Sequence, residues 1–83
     1  MHGAIWAAIN IIAANQNMSN SGLARFCGLD ATTFNKSKRY SKYGQPRWLS
    51  METLNKVLNA TGTSFTEFAR IVDNQLRKDG ERN

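Results

Sequence analysis

The chain has one cysteine, one histidine and one proline in 83 residues, and few of its side chains are acidic. A single cysteine excludes an internal disulfide, which fits a reducing compartment. His2, the sole histidine, has no second metal ligand beside it, so we expect an exposed terminal residue and no metal site. A chain of this length forms one small domain with a modest core, because it buries only about 60% of its unfolded surface.

The residue clusters that catalysis requires are also missing. The sequence has no Ser/His/Asp or His/Cys combination, no glycine-rich loop followed by lysine, and no pair of carboxylates at a useful spacing. It therefore predicts no enzyme, no cofactor and no small-molecule substrate. No apolar run approaches the ~20 residues of a membrane span, and the apolar stretch near the first residue lacks the basic segment of a signal peptide. We expect a cytoplasmic protein that does not bind membranes.

Positive charge is abundant by contrast, and it is concentrated in one part of the chain. Eleven lysines and arginines against six acids give a net charge of +5. Six of the basic residues lie between Arg25 and Arg47, where Asp30 is the one acid, and the five basic and five acidic residues elsewhere cancel. A run of charge is often only a solvated surface. Here it coincides with the motif described next, which favours a polyanionic partner.

The stretch 19–39 predicts two short helices joined by a tight turn. Ser19 can cap the first helix, because its hydroxyl can accept a hydrogen bond from a free N–H group of the opening turn. Gly28 ends that helix, since glycine adopts the left-handed conformation without a Cβ penalty. Asp30 then caps a second helix, in which Phe34 points inward. This is the pattern of a helix-turn-helix, whose second helix enters the major groove of DNA.

Apolar residues recur at helical spacing through the rest of the chain, without strand-like alternation. The pattern predicts an all-α fold of five short helices at about 4–15, 20–27, 31–38, 50–61 and 64–76. Ser50 is predicted to cap the fourth helix, and Ser64 with Glu67 forms a capping box at the start of the fifth. We expect Cys27 and Trp48 to pack in the core.

The residues around the turn resemble those of phage-repressor-like (lambda-repressor-like, Xre-type) helix-turn-helix domains. The matching positions are Leu23-Ala24, Gly28-Leu29 and Phe34. The run DATTFNKSKR, followed by GQPRW and a helix that opens with Ser50, is similar to a narrower group. That group is the N-terminal DNA-binding domain of bacterial and phage repressors that carry a C-terminal self-cleaving (LexA-like) peptidase domain. The resemblance covers roughly residues 5–72.

The resemblance implies a compact five-helix DNA-binding domain over residues 1–76, with a helix-turn-helix formed by the second and third helices. Residues 77–83 are charged and lack apolar anchors, so we expect a flexible tail or the start of a linker. The chain has no room for the peptidase domain. We therefore expect either a truncated N-terminal domain or a stand-alone small regulator of the bacterial cytoplasm and nucleoid.

The resemblance also implies the residues that would contact DNA. Base edges would be read near the start of the third helix, by Ala31, Thr32, Thr33, Asn35 and Lys36. Asparagine can bond to adenine, lysine to guanine, and threonine to a base edge or a thymine methyl group. Asn35 can instead point sideways toward the following loop. Phosphates would be held without sequence discrimination by Asn20, Ser21, Lys38, Arg39, Lys42 and Arg47.

The expected function is that of a transcriptional repressor that binds a pseudo-palindromic double-stranded operator as a homodimer. The fifth helix is the candidate for self-association, through Phe65, Phe68 and Val72 or through Ile71 and Gln75 beside them. The alternative is that Phe65 and Phe68 belong to the core. A second functional class also stays open, an antitoxin-like helical module that binds a protein rather than specific DNA.

Overall fold

The computed structural model describes residues 1–81, which form a mostly helical globule. Its four α-helices are α1 (His2–Asn15), α2 (Asn20–Phe26), α3 (Met51–Thr61) and α4 (Phe65–Glu81). Residues 1–81 contain no β-strand, although one antiparallel bridge pairs Tyr40 with Pro46. The all-α class is confirmed, but the count of five helices is not.

The missing helix is the one expected at 31–38. Residues 31–34 form hydrogen-bonded turns, Asn35 is extended with φ −63° and ψ 150°, and Lys36–Lys38 form a single 3₁₀ turn. Two consecutive threonines explain the break. Both hydroxyls donate to Asp30, to its Oδ1 from Thr32 and to its carbonyl from Thr33, each at 2.6 Å. Such local bonds compete with helical bonding, and β-branched side chains are weak helix formers.

Three helices begin at the capping residues in the sequence, whereas α1 begins at His2 without a side-chain cap, two residues before its predicted start. Ser19 Oγ accepts from Gly22 N at 3.1 Å, and Ser50 Oγ accepts from Thr53 N at 3.0 Å. At α4, Ser64 Oγ accepts from Glu67 N at 3.0 Å. The N-caps predicted at Ser19, Ser50 and Ser64 are confirmed, because a cap depends only on residues within one turn of the chain. Of the two bonds of the predicted capping box, the structure shows the one from Glu67 N to Ser64 Oγ.

The core lies along α1, which packs against both α4 and α2. Its four largest fully buried side chains come from four different segments: Ile9, Leu23, Phe34 and Val57. Phe34 is thus buried as predicted, even though its segment is not an α-helix. The non-helical segment therefore stays fixed to the domain through one aromatic side chain.

Two predicted core residues lie nearer the surface than expected. Trp48 is 57% exposed, so the prediction that it packs in the core is wrong. Cys27 is half-buried against the edge of the core, and that burial raises the pKa of its thiol. On α4, Phe68 and Val72 are buried, whereas Phe65 is 58% exposed.

The helix α4 continues to Glu81, so residues 77–81 are helical where the charge pattern predicts a flexible tail or linker. Lys78 lies in the last turn, where a positive charge interacts favourably with the helix dipole. The last two residues of the predicted tail, Arg82 and Asn83, lie outside the described residues. None of the helices in residues 1–81 is long and apolar enough to cross a membrane.

Candidate nucleic-acid interface

The reading segment is defined as residues 30–38. The turn that joins it to α2 has fixed geometry. Gly28 has φ +75°, which a side chain disfavours. Leu29 N donates to Ala24 O at 2.8 Å, and Gly28 N donates to Arg25 O at 3.0 Å. These two bonds form a Schellman motif, which closes the helix end and sets the direction of the chain. The predicted role of Gly28 is confirmed.

The five predicted base-reading residues differ in what their side chains have available. Asn35 and Lys36 are exposed, and Ala31 is half-buried. Thr32 and Thr33 have committed their hydroxyl protons to Asp30. Their oxygens can still accept, and their methyl groups can still touch a thymine methyl. Asn35 and Lys36 therefore hold the side-chain donors that are free to reach a base edge.

The carboxylate of Asp30 organises the start of the reading segment. It accepts from the Thr32 hydroxyl at 2.6 Å and from Thr32 N at 2.8 Å. These two bonds, the hydroxyl first, lower the pKa of Asp30 from its ordinary value, with a smaller contribution from Lys38. Asp30 is therefore ionised near neutral pH, and it partly offsets the positive charge beside it.

An open cleft of about 440 Å³ lies between the reading segment and the N-terminus of α3. Two basic residues, Lys38 and Arg47, line it together with the hydroxyl-bearing Thr32 and Thr33. The rest of its lining is Trp6, Asp30, Trp48, Leu49, Ser50 and Thr53. The two cations can bind the oxygens of a phosphate, whereas the hydroxyl protons of Thr32 and Thr33 are already donated to Asp30. Four predicted contact residues from two parts of the sequence thus meet at one surface.

His2 has a structural role that the sequence did not indicate. Its Nε2 lies 2.9 Å from Arg39 O and 3.0 Å from Arg47 O. A bond to either carbonyl requires the proton on this nitrogen, because carbonyl oxygens only accept, and the Trp6 indole N–H also lies 3.1 Å from the same nitrogen. The indole of Trp6 donates to Arg47 O at 3.0 Å. The expectation of an exposed terminal His2 is wrong, since the side chain joins α1 to the backbone at 39 and 47.

Asn10 completes this stripe of α1, since His2, Trp6 and Asn10 are spaced four residues apart and share one helix face. Its Oδ1 accepts from Asn20 Nδ2 and from Arg39 Nη2, both at 2.9 Å. Polar and aromatic residues at i, i+4 and i+8 on an otherwise apolar helix were the available sequence signal for this stripe.

Arg39, a predicted phosphate contact, is mostly occupied inside the domain. Its Nη2 donates to Asn10 Oδ1 and also to Phe34 O at 3.3 Å, and its guanidinium lies 5.3 Å from the Trp6 ring centroid. Its Nε is buried without a hydrogen-bond partner, and burial lowers the pKa of the group. Arg39 thus links the reading segment to α1.

The two phosphate contacts predicted at the start of α2 are half-buried. Asn20 uses its amide to reach Asn10, and Ser21 Oγ lies 3.2 Å from Ser19 Oγ. Both therefore make bonds within the domain at the N-terminus of α2.

Residues 39–47 form a small basic hairpin. Arg47 N donates to Arg39 O and Ser41 N donates to Gln45 O, both at 2.8 Å. Lys42 and Tyr43 form its tip, where the Lys42 ammonium lies 5.1 Å from the Tyr43 ring centroid. Of the three basic residues of the hairpin that were predicted to hold phosphates, Lys42 and Arg47 are exposed, whereas Arg39 is half-buried.

Aromatic rings pack around His2 at the base of the basic hairpin. Its ring centroid lies 4.9 Å from that of Tyr40 and 5.5 Å from that of Trp48. Trp48 is therefore held by His2 at the surface. The sequence could not show this arrangement, because His2 and Trp48 are far apart in the chain.

No protein-family model, curated protein or solved structure matches this chain.

Proposed function

We propose that this protein is a sequence-specific transcriptional regulator, a repressor of the phage-repressor-like class, that binds double-stranded DNA. The observation that carries the proposal is where the excess charge lies. Lys36, Lys38, Lys42 and Arg47 are all exposed, and all belong to the reading segment or to the basic hairpin that follows it. A basic surface beside the tight turn at Gly28 suits a polyanion with grooves.

The roles of the side chains follow from what each has free. Asn35 and Lys36 are the candidates for base readout, with Thr32 and Thr33 offering acceptors and methyl groups, and Ala31 offering apolar contact. Lys38 and Arg47 would hold a backbone phosphate in the cleft, where Asp30 limits the net charge. Arg39 and Asn20 support the interface from inside rather than touching DNA. Ser21 keeps a hydroxyl near the N-terminus of α2.

A non-helical reading segment alters how the groove would be read. An α-helix presents its side chains in a groove along one continuous face. Here the segment bends at Asn35, so residues 31–34 and 36–38 form two short turns. We propose that each turn approaches the base edges separately. This arrangement would read few base pairs per chain, which makes a two-fold dimer on a pseudo-palindromic site the favoured form.

The dimer would use the apolar surface between α1 and α4. Phe65 is 58% exposed and Met1 63% exposed, and both line a groove of about 220 Å³ with Ile5, Phe68, Ala69, Val72 and Asp73. Ile71 and Gln75, the other predicted contacts, are half-buried. The same groove is the one observation that favours the second functional class, an antitoxin-like module that binds a protein.

The experiment is selection from a random duplex library at two salt concentrations. Enrichment of a palindrome, with affinity that falls steeply as salt rises, is the expected result and would give the half-site spacing. Weak, salt-sensitive binding to every sequence would refute sequence-specific regulation by this chain. Absence of binding at either salt concentration would favour the protein-binding alternative.

A further inference from the structure

We infer that the tip of the basic hairpin, Lys42 and Tyr43, is a separate contact to the DNA backbone outside the base pairs that the reading segment covers. The inference rests on the proposed function, and it gives Lys42 and Tyr43 a defined place on the duplex. The tip would extend each half-site outward through contacts to phosphate and sugar. It would add affinity and orientation without adding base readout.

The side chains at the tip have no packing role inside the domain. Tyr43 is 81% exposed, more than the other large hydrophobic residues found at the surface of the domain. Its neighbour is the Lys42 ammonium, which lies over the ring and is exposed as well. Together they place an ammonium and a phenolic hydroxyl at one end of a turn. Both groups are donors that proteins use to bind phosphate oxygens.

Hydrogen bonds within the turn make the tip rigid before any ligand binds. Ser41 Oγ accepts from Tyr43 N at 3.2 Å and from Gln45 N at 3.1 Å, and Gly44 N donates to Ser41 O at 2.9 Å. Gly44 has φ +82°, a conformation that other residues rarely adopt. A preorganised loop binds with a smaller loss of conformational entropy.

The position of the tip limits how far along the DNA it can reach from the cleft. The carbonyls of Arg39 and Arg47 at the base of the hairpin are both held by His2, so the tip has a fixed position relative to α1. Arg47 lines the cleft beside the reading segment, whereas Lys42 and Tyr43 do not. Arg47 and Tyr43 are four positions apart, an upper reach of about 13 Å at ~3.3 Å per residue. With one nucleotide per ~3.4 Å along each strand, the tip can reach at most about four base pairs beyond the cleft.

The test is hydroxyl-radical footprinting on the duplex obtained by selection, embedded in unrelated flanking DNA. The variants are Lys42→Ala and Tyr43→Ala, with Lys78→Ala on α4 as the matched exposed-lysine control. We expect both tip variants to lose backbone protection within about four base pairs outside the half-site, with unchanged protection inside it and an unchanged selected sequence. Tyr43→Phe is expected to lose the outer protection too, because the hydroxyl is the donor.

The salt dependence gives a second readout. Lys42→Ala should lower the slope of log affinity against log salt by about 1. The ratio of wild-type affinity to variant affinity should therefore fall about 3–4-fold between 50 and 200 mM salt. Lys78→Ala should leave slope and footprint unchanged. Outer protection that survives in both alanine variants would overturn the inference while leaving the proposed function intact. Outer protection that survives only in Tyr43→Phe would overturn the hydroxyl contact. A wild-type chain that protects no duplex would refute both proposals.

Discussion

The imidazole Nε2 of His2 lies 2.9 Å from the main-chain oxygen of Arg39, 37 residues further along the chain. The same nitrogen lies 3.0 Å from Arg47 O, so one side chain at the start of α1 spans both ends of the basic hairpin. The Trp6 indole reinforces it by donating to Arg47 O. The position of the proposed DNA-contacting hairpin therefore depends on the first turn of α1.

We expect His2→Ala to loosen the basic hairpin without unfolding the domain. The variant removes the N–H donor that the two carbonyls share, but Arg39 O still accepts from Arg47 N and Arg47 O still accepts from Trp6 Nε1. The expected cost is therefore that of a single net hydrogen bond, about 0.5–1.5 kcal/mol. Amide hydrogen exchange at Ser41 N and Arg47 N, the two donors between the hairpin strands, should accelerate more than exchange in α4. His2→Gln is the matched variant, since its amide keeps an N–H donor. Equal exchange in all three proteins would contradict the role of His2.

Asp30 predicts a pH dependence of the reading segment. Bonds from the Thr32 hydroxyl and N–H lower the pKa of Asp30 in the folded chain. A lowered folded-state pKa adds stability above the unfolded-state pKa of about 4, and this stability is lost as the pH falls through the folded-state value. Thermal melts from pH 6 to the acid range should therefore show a smaller acid-induced fall in Tm for Asp30→Asn than for wild type. Parallel curves would show that the bonds do not contribute.

The contrast between Asp30 and the helix caps shows how much of the fold the sequence could predict. Ser19, Ser50 and Gly28 act within one turn of the chain, and the structure confirms them. Thr32 and Thr33 also act locally, but they favour a different conformation from the one that the family resemblance suggests. Their hydroxyl bonds to Asp30 compete with helix formation, and a pattern of apolar spacing does not register this competition.

Less of the candidate site than of the fold could be predicted from the sequence. Its position followed from local charge, because exposed lysines and arginines cluster in one window. The internal role of Arg39 did not follow from local charge, since its partners Asn10 and Trp6 lie 29 and 33 positions earlier in the chain. Charge alone cannot separate an arginine that binds phosphate from one that binds the domain itself.

Arg39 and Lys38 should therefore respond oppositely to alanine. Arg39→Ala removes bonds to Asn10 Oδ1 and Phe34 O, and hydrogen bonds to a charged group are worth about 1.5–3 kcal/mol each before exposure to solvent is discounted. We expect a lower Tm and little change in the salt slope of DNA binding. Lys38→Ala, at an exposed residue of the cleft, should keep the Tm and lower the slope by about 1. A reversed pattern would place Arg39 on the phosphate.

Lys36 tests the base-reading role directly. It is exposed at the start of the 3₁₀ turn, outside the cleft that Lys38 lines. Lys36→Ala should relax the preference at particular base pairs, by about 1–3 kcal/mol for each lost contact. The measurement is the affinity for a set of singly substituted operators, compared with the same set for Lys38→Ala. If Lys36→Ala weakened binding to every operator equally, Lys36 would be a phosphate contact.

Phe65 tests the proposed dimer and separates it from the protein-binding alternative. Its ring is 58% exposed and lies 6.2 Å from the ring of buried Phe68, so Phe65→Ser removes surface area while leaving the core ring in place. We expect the variant to keep its Tm, to sediment as a smaller species at micromolar concentration, and to lose binding to a palindrome while retaining weak binding to one half-site. Thr66→Ala, at the next exposed position of α4, is the control. Unchanged sedimentation and unchanged palindrome binding would contradict the proposed dimer. The groove would then be free for a different protein, because an exposed aromatic residue beside an apolar groove is typical of an interaction surface.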